Sequence, residues 1–388
     1  MPNTAANATV ATPPTPDRSV LPPGLAGVEV ADTAIGDVRG EAGSYHYRGY
    51  DAPRLAETRS FEEVWHLLLE GELPDEGEHA ELMTRIAAAR RSLPGDWLRS
   101  LVGRCQGDPV TAMRSAWSEA AHQLGLRPWL DLDAVTRRDQ AVAVAAVAPV
   151  LAAATGRNVT AEVASLPAST AAAHLTLQTG AAPHPDHVCA LESYLTLTLD
   201  HGFNASTFTA RVVSSTGADL GAVVVAALGA LSGPLHGGAP SRVLDLLDAV
   251  GEPERAELEL RARLDRRERL MGFGHRVYRT EDPRAAALRR TAVALGGPRV
   301  ELALEVERTA RRLLAERSPD RVLDVNVEFH AAVVLEAVGL PRSAFTTTFA
   351  ISRAVAWTAH ALEQAATDRI VRPSSRYVGP SPRTVPTR

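Results

Sequence analysis

The chain has 388 residues, a formal net charge of −5, and 45% hydrophobic against 22% charged side chains. That is the profile of a folded globular protein, and it lacks the basic stripe of a nucleic-acid binder. All 41 of its Lys-plus-Arg side chains are arginine. With no lysine there is no Schiff base, which excludes pyridoxal-phosphate and lysine-aldolase chemistry. A phosphate loop ending in G-K-[ST] and a kinase strand lysine are excluded as well. The absence of lysine itself reads as a coding bias. Cys105 and Cys189 are the only cysteines. Two cannot build a disulfide framework, and they lack C-x-x-C spacing, so a reduced, cytoplasmic location is expected.

In chain order, residues 1–23 are rich in Pro, Thr and Ala without an apolar signal region, and are expected to be a disordered tail. From Gly27 to Tyr50 the pattern is that of a β ribbon: Val28 and Val30 alternate with polar residues, a turn follows near Gly40 and Gly43, and Tyr45 and Tyr47 alternate again. From Phe61 onward the pattern is helical, with Phe61, Val64, Leu67 and Leu68 on one face. Ala141 to Thr155 is the most apolar stretch. Pro149 interrupts it, and it falls short of the ~20 residues a membrane span needs, so it predicts a buried core helix. Val223–Leu231 and Ala331–Val338 are apolar on most sides, as central helices are. Residues 254–270 are mostly charged, with Leu258, Leu264 and Leu270 as a thin apolar stripe, and predict a solvated surface helix. The stretch after Ile370 is rich in Pro, Ser and Arg and is expected to be extended. The fold class is therefore mainly α, and nothing supports a βαβ plan. Gly272-Phe273-Gly274 does not open a dinucleotide fingerprint, because Val277 stands where the third Gly belongs and no strand precedes it.

Four segments concentrate His, Arg and acidic residues among Gly and Pro. They are Leu199 to Phe208 with His201, Ser232 to Pro240 with His236, Met271 to Arg284 with His275, and Asn326 to His330 with Glu328, the last followed by Arg353. Pro240 is placed to open a helix reaching Val250, so His236 lies near a helix N-terminus whose dipole disfavours imidazolium. A neutral, hydrogen-bonding imidazole is expected there, either at a functional site or as a satisfied histidine at a turn. Asp282 and Pro283 suit the N-cap and first position of a helix ending before Gly296-Gly297. Arg284 then opposes the dipole and needs an anionic partner. Arg353 lies in an otherwise apolar helix, Phe349 to Leu362, where a charge must be paired or face a cavity. His184 and His187 lack a third convergent ligand and read as loop residues rather than a metal site. His174 and His360 read as core residues.

Taken together these segments resemble the citrate synthase family. GPLHGG, MGFGHRVYR-x-x-DPRA, NVEF and FAISR-x-x-x-WTAH-x-x-EQ stand in the family's order and spacing, and residues 24–51 resemble its N-terminal ribbon. The likeness covers roughly residues 24 to 380 and is nearest to the compact bacterial citrate and 2-methylcitrate synthase branch. It implies a two-domain, nearly all-helical homodimer. Residues 24–236 with 341–388 would form the large, dimer-forming domain, and 237–340 the small one. The implied reaction condenses acetyl-CoA with oxaloacetate and hydrolyses the citryl thioester to citrate and CoA, with no metal, no other cofactor, no nucleic acid and no membrane.

The resemblance also implies roles. His236 would hold the thioester carbonyl, Glu328 would remove the methyl proton, and His275 would polarise the ketone. His201, His275, Arg284 and Arg353 would bind oxaloacetate, with Arg372 reaching in from the partner subunit. Arg279 would contact coenzyme A phosphate, and the Gly272, Phe273 and Gly274 backbone would lie beside adenine. The family's usual base is Asp; here Glu328 carries an extra methylene, and Phe329-His330 replaces the commoner Phe-Tyr. Propionyl-CoA as the acyl donor and a non-catalytic CoA- or dicarboxylate-binding role are the alternatives.

Overall fold

The computed structural model describes residues 22–25, 27–104, 107–233, 236–237, 240–275, 277–278, 280–318, 323–367, 369–383 and 385. The expected tail lies almost wholly outside these, as does Cys105. Two compact units are present, one ending at Thr33 and one running from Ala34 onward. In the first, the 3-10 turn Pro23–Leu25 is the one regular element among the described residues, and Val28 to Thr33 lie in neither helix nor strand. Val28 and Val30 are not in a strand there but exposed. Their alternation carries only two apolar residues, and no neighbouring strand pairs with it among the described residues.

The ribbon itself begins later. Gly36–Arg39, Ser44–Tyr47 and Tyr50–Asp51 form a three-stranded antiparallel sheet, with Val38 opposite Tyr45 and Tyr47 opposite Tyr50. Tyr45 and Tyr47 are its buried face, and both are nearly inaccessible to solvent. Almost everything else is helical, so the fold is mainly α with a small ribbon. Phe61–Glu70 has a Ser60/Glu63 capping box and buries Phe61, Val64, Leu67 and Leu68 completely. The apolar stretch around Pro149 is core, as its composition demands. Pro149 ends one helix, Ala134–Ala146, and sits in the first turn of the next, Ala148–Ala154.

The longest helix, Phe345–Ala365, is buried on nearly every side and packs against Ala134–Ala146, Ala205–Ser214 and Leu220–Leu231. Its Ile351, Val355 and Trp357 are at most 1% exposed, each such side chain contributing ~1.5–3 kcal/mol by burial. This helix carries Arg353 into the middle of the molecule. The charged segment folds as Ala256–Asp265, but its apolar stripe is Leu260 and Leu264, four apart, while Leu258 is 74% exposed. Leu258 and Leu264, six apart, cannot share a helical face. His184 caps Pro185–Thr198, accepting from the Asp186 amide, so His187 is helical rather than in a loop. His174 and His360 are buried core residues. The described residues after Ile370 lie in neither helix nor strand, and all but the half-buried Val371 are exposed. No helix among the described residues is long and apolar enough to cross a membrane.

Candidate active site

Three pieces of local structure bring distant segments together. Pro283–Leu295 starts at Asp282, whose Oδ1 accepts from the Arg284 amide. Val327–Ala337 starts at Asn326, whose Oδ1 accepts from the Glu328 amide. Between them runs a short antiparallel contact: Phe273 bridges Val325, the Gly274 amide donates to Asp324, and the Asn326 amide donates to Gly272. This contact brings His275 and Glu328 to one cavity. On the opposite wall, Gly237 donates to the Leu231 carbonyl, and a Cβ there would lie 2.6 Å from that oxygen. Only glycine fits, and the close approach turns the chain so that His236 faces the same space.

A cavity of about 200 Å3 results, lined by His201, His236, His275, Arg284, Glu328 and Arg353. All six were picked from the sequence. Arg372 lies on the exposed C-terminal stretch, outside the lining. Gly272, Phe273 and Gly274 do not line this cavity. Arg279 falls outside the described residues. Tyr194, Thr198, Asn204, Asn326 and Phe349 also line the cavity, with Gly237, Val327 and Ala331. None of the first five is assigned a role by the sequence alone, although Asn204, Asn326 and Phe349 lie inside the segments it singles out, and Asn204 and Asn326 cap helices.

The charges in the cavity are arranged by burial. Arg284 is gripped by Asp282, Nε to Oδ1 at 3.0 Å and Nη2 to Oδ2 at 2.8 Å, with both residues under 5% exposed. That fork supplies the anionic partner that Arg284 requires. Burial alone would raise the Asp282 carboxyl, but the Arg284 charge and hydrogen bonds hold it below its ordinary value. Asp282 Oδ2 also accepts from the Val327 amide at 3.1 Å, which ties the two helix starts together. Arg353 donates Nε to the Thr198 carbonyl and stacks over Phe349, yet its Nη1 is buried without a partner among the described residues. A buried guanidinium edge left unpaired beside a cavity calls for an anionic ligand.

The histidines are neutral donors. His275 Nδ1 accepts from the amides of Val277 at 2.9 Å and Tyr278 at 3.0 Å, so its proton sits on Nε2. Nε2 lies 3.1 Å from Arg284 Nη2, and the two donors face each other with no acceptor between them. Burial, then the Arg284 charge, lowers His275 to about 4. Burial, then the Arg353 charge, lowers His236 to about 4. The neutral imidazole expected at His236 is present, and burial rather than the helix dipole is its main cause. His236 Nε2 lies 2.9 Å from Ser206 Oγ, a hydroxyl to which Trp357 Nε1 donates at 3.2 Å. Glu328 goes the other way: burial raises its carboxyl to about 7, with Arg284 opposing. The cavity thus holds two neutral N–H donors, a carboxyl titrating near neutral pH, and two fixed cations.

The family model described as "Citrate synthase, C-terminal domain" matches residues 24–374. The chain belongs to the citrate synthase family. It is 40% identical over 369 residues to the "Putative citrate synthase 2" of Mycobacterium tuberculosis strain H37Rv, covering 93% of this chain and 94% of that one. It is 36% identical to the "2-methylcitrate synthase" of the same strain, covering 98% and 96%. Among solved structures, the citrate synthase of Thermotoga maritima superposes with a TM-score of 0.75 at 31% identity, covering 93% of this chain and 96% of that one. The Thermoplasma acidophilum citrate synthase, in ternary complex with carboxymethyl coenzyme A and oxaloacetate, superposes with a TM-score of 0.80 at 26% identity, covering 92% and 96%. The helical fold is therefore that of a citrate synthase family member.

Proposed function

We propose that the chain condenses acetyl-CoA with oxaloacetate and hydrolyses the resulting thioester, giving citrate and CoA. The observation that carries this reading is the meeting of His236, His275 and Glu328 with Arg284 and Arg353 in one cavity. Guanidinium N–H groups suit a small dicarboxylate, and Arg353 Nη1 and Arg284 Nη2 would each present one to it. The His275 Nε2–H would donate to the ketone oxygen between itself and Arg284. Glu328 would take a proton from the methyl carbon of the thioester while His236 donates to the thioester oxygen, stabilising the enol. The enol carbon then bonds to the ketone carbon, and the ketone oxygen gains a proton. Water finally cleaves the thioester, releasing the thiol.

A carboxyl near 7 suits a base working at neutral pH, and imidazoles near 4 stay neutral donors there. The reading assigns carboxylate binding to His201 as well, to Arg372 from a partner subunit, and contacts with coenzyme A to Arg279 and the Gly272–Gly274 backbone. It takes residues 24–236 with 341–388 as one lobe and 237–340 as the other, in a cytoplasmic homodimer that needs no cofactor beyond the CoA thioester. The acyl group has a second candidate, because a 2-methylcitrate synthase is similar to the chain along nearly all its length. One methylene changes selectivity by only ~1–3 kcal/mol. Thiol release with acetyl-CoA and with propionyl-CoA, each with and without oxaloacetate, tests the reading. Release that depends on oxaloacetate and is faster with acetyl-CoA supports it, whereas faster release with propionyl-CoA replaces citrate by 2-methylcitrate.

A further inference from the structure

Tyr278 lies just behind the cavity wall and touches three of the residues that line it. Its hydroxyl is 2.9 Å from His201 Nε2, and the two rings meet edge-on at 5.5 Å. Its backbone amide donates to His275 Nδ1 at 3.0 Å, and its ring centroid is 4.8 Å from that of His275. The Arg284 guanidinium stands 5.9 Å from its ring centroid. The side chain is only 4% exposed, so these contacts are made out of water. From behind, the ribbon turn holds the segment in place: a Cβ on Gly40 would collide with the Val277 carbonyl oxygen and lie 2.9 Å from its carbon.

We propose that Tyr278 is a positioning residue whose hydroxyl donates to His201 Nε2 and thereby fixes the His201 proton on Nδ1, the ring edge left for a substrate carboxylate. A neutral imidazole has one N–H and one lone pair, so the partner of Nε2 decides what Nδ1 offers. Among the described residues, the Tyr278 hydroxyl has no other hydrogen-bond partner, and His201 Nδ1 has none. His201 stays neutral through burial and through the charges of Arg284 and Arg353. With those two cations in the wall the ligand is an anion. An Nδ1 lone pair would repel its carboxylate, whereas Nδ1–H binds it. The phenol can donate and the imidazole must accept, so the two contacts are satisfied together.

The inference rests on the reading of His201 as a carboxylate ligand, and a double-mutant cycle separates the two. Oxaloacetate affinity and steady-state thiol release are measured for the full-length chain, Tyr278→Phe, His201→Ala and the double variant. Phenylalanine removes only the hydroxyl, so folding is preserved. Tyr278→Phe is expected to bind oxaloacetate ~10-fold more weakly while kcat falls less than ~3-fold. In the His201→Ala background the same change should alter affinity by less than ~2-fold. Equal losses in both backgrounds, or unchanged affinity in Tyr278→Phe, overturn the inference and leave the function standing. A parent chain that does not bind oxaloacetate overturns the functional reading, and this inference with it.

Discussion

Whether this cavity does acid–base chemistry turns on Glu328, a carboxyl in its lining. Its carboxyl is raised from 4.5 to about 7 by burial. The ionised form is the base, so thiol release should fall as pH drops through about 7. His236 and His275, near 4, do not titrate in that range and add no second step. The expected kcat/KM profile therefore has one proton on its acid limb, and a two-proton limb contradicts the assignment of neutral donors. The same shift has a cost in stability. A carboxyl whose folded pKa is raised favours the native state while protonated and loses that contribution as pH rises through 7. Glu328→Gln should thus be more stable than the parent at pH 8, on the order of 2 kcal/mol in denaturant unfolding, while its turnover falls ~10²–10⁴-fold. Reduced stability at pH 8 would show that the carboxylate has a partner. The chemical identity of these side chains was legible in the sequence. Their protonation was legible only in outcome: a helix dipole was the available argument at His236, while burial and Arg353 supply the shift.

At the scale of elements, the site depends on Asp282. One carboxylate caps Pro283–Leu295, grips Arg284 and accepts the first amide of Val327–Ala337. Asp282→Ala leaves a buried guanidinium unpaired and should destabilise the protein by ~3–5 kcal/mol, read as a lower denaturant midpoint. A midpoint within ~0.5 kcal/mol of the parent would mean that Arg284 finds another partner. Arg284→Ala keeps the cap but leaves the Asp282 carboxylate without its counter-charge, so it should lower stability as well as raise the oxaloacetate requirement; an unaffected binding isotherm removes Arg284 from the site. The cap, the helix and the need for an anion beside Arg284 were all readable from Asp-Pro-Arg. The antiparallel contact between Phe273 and Val325 was not, because a two-residue pairing over such a sequence separation leaves no periodicity. The ribbon was placed too early for a related reason. Val28 and Val30 alternate, but alternation reports a half-buried surface and these two are exposed.

For the whole molecule, the absence of lysine becomes an experimental tool. All 41 basic side chains are arginine, and the cavity holds two of them. An arginine-directed dicarbonyl should inactivate the protein, and oxaloacetate should protect it. A lysine-directed reagent should act on the N-terminal amine alone and leave turnover unchanged; inactivation by it would place that amine near the site. The mainly helical fold was legible because long amphipathic and apolar runs bury themselves at fixed periods. The lobes and the homodimer follow only from family likeness, and a solution mass of twice the 41.3 kDa chain is the expected result for the assembly. The central claim is that this cavity makes a carbon–carbon bond from a CoA thioester and a keto-dicarboxylate. Its most direct test is thiol release by the full-length chain from acetyl-CoA with and without oxaloacetate. The account predicts release only when both are present, and its loss in Glu328→Gln. Ligand-induced closure without any thiol release would contradict it and leave a binding protein in place of an enzyme.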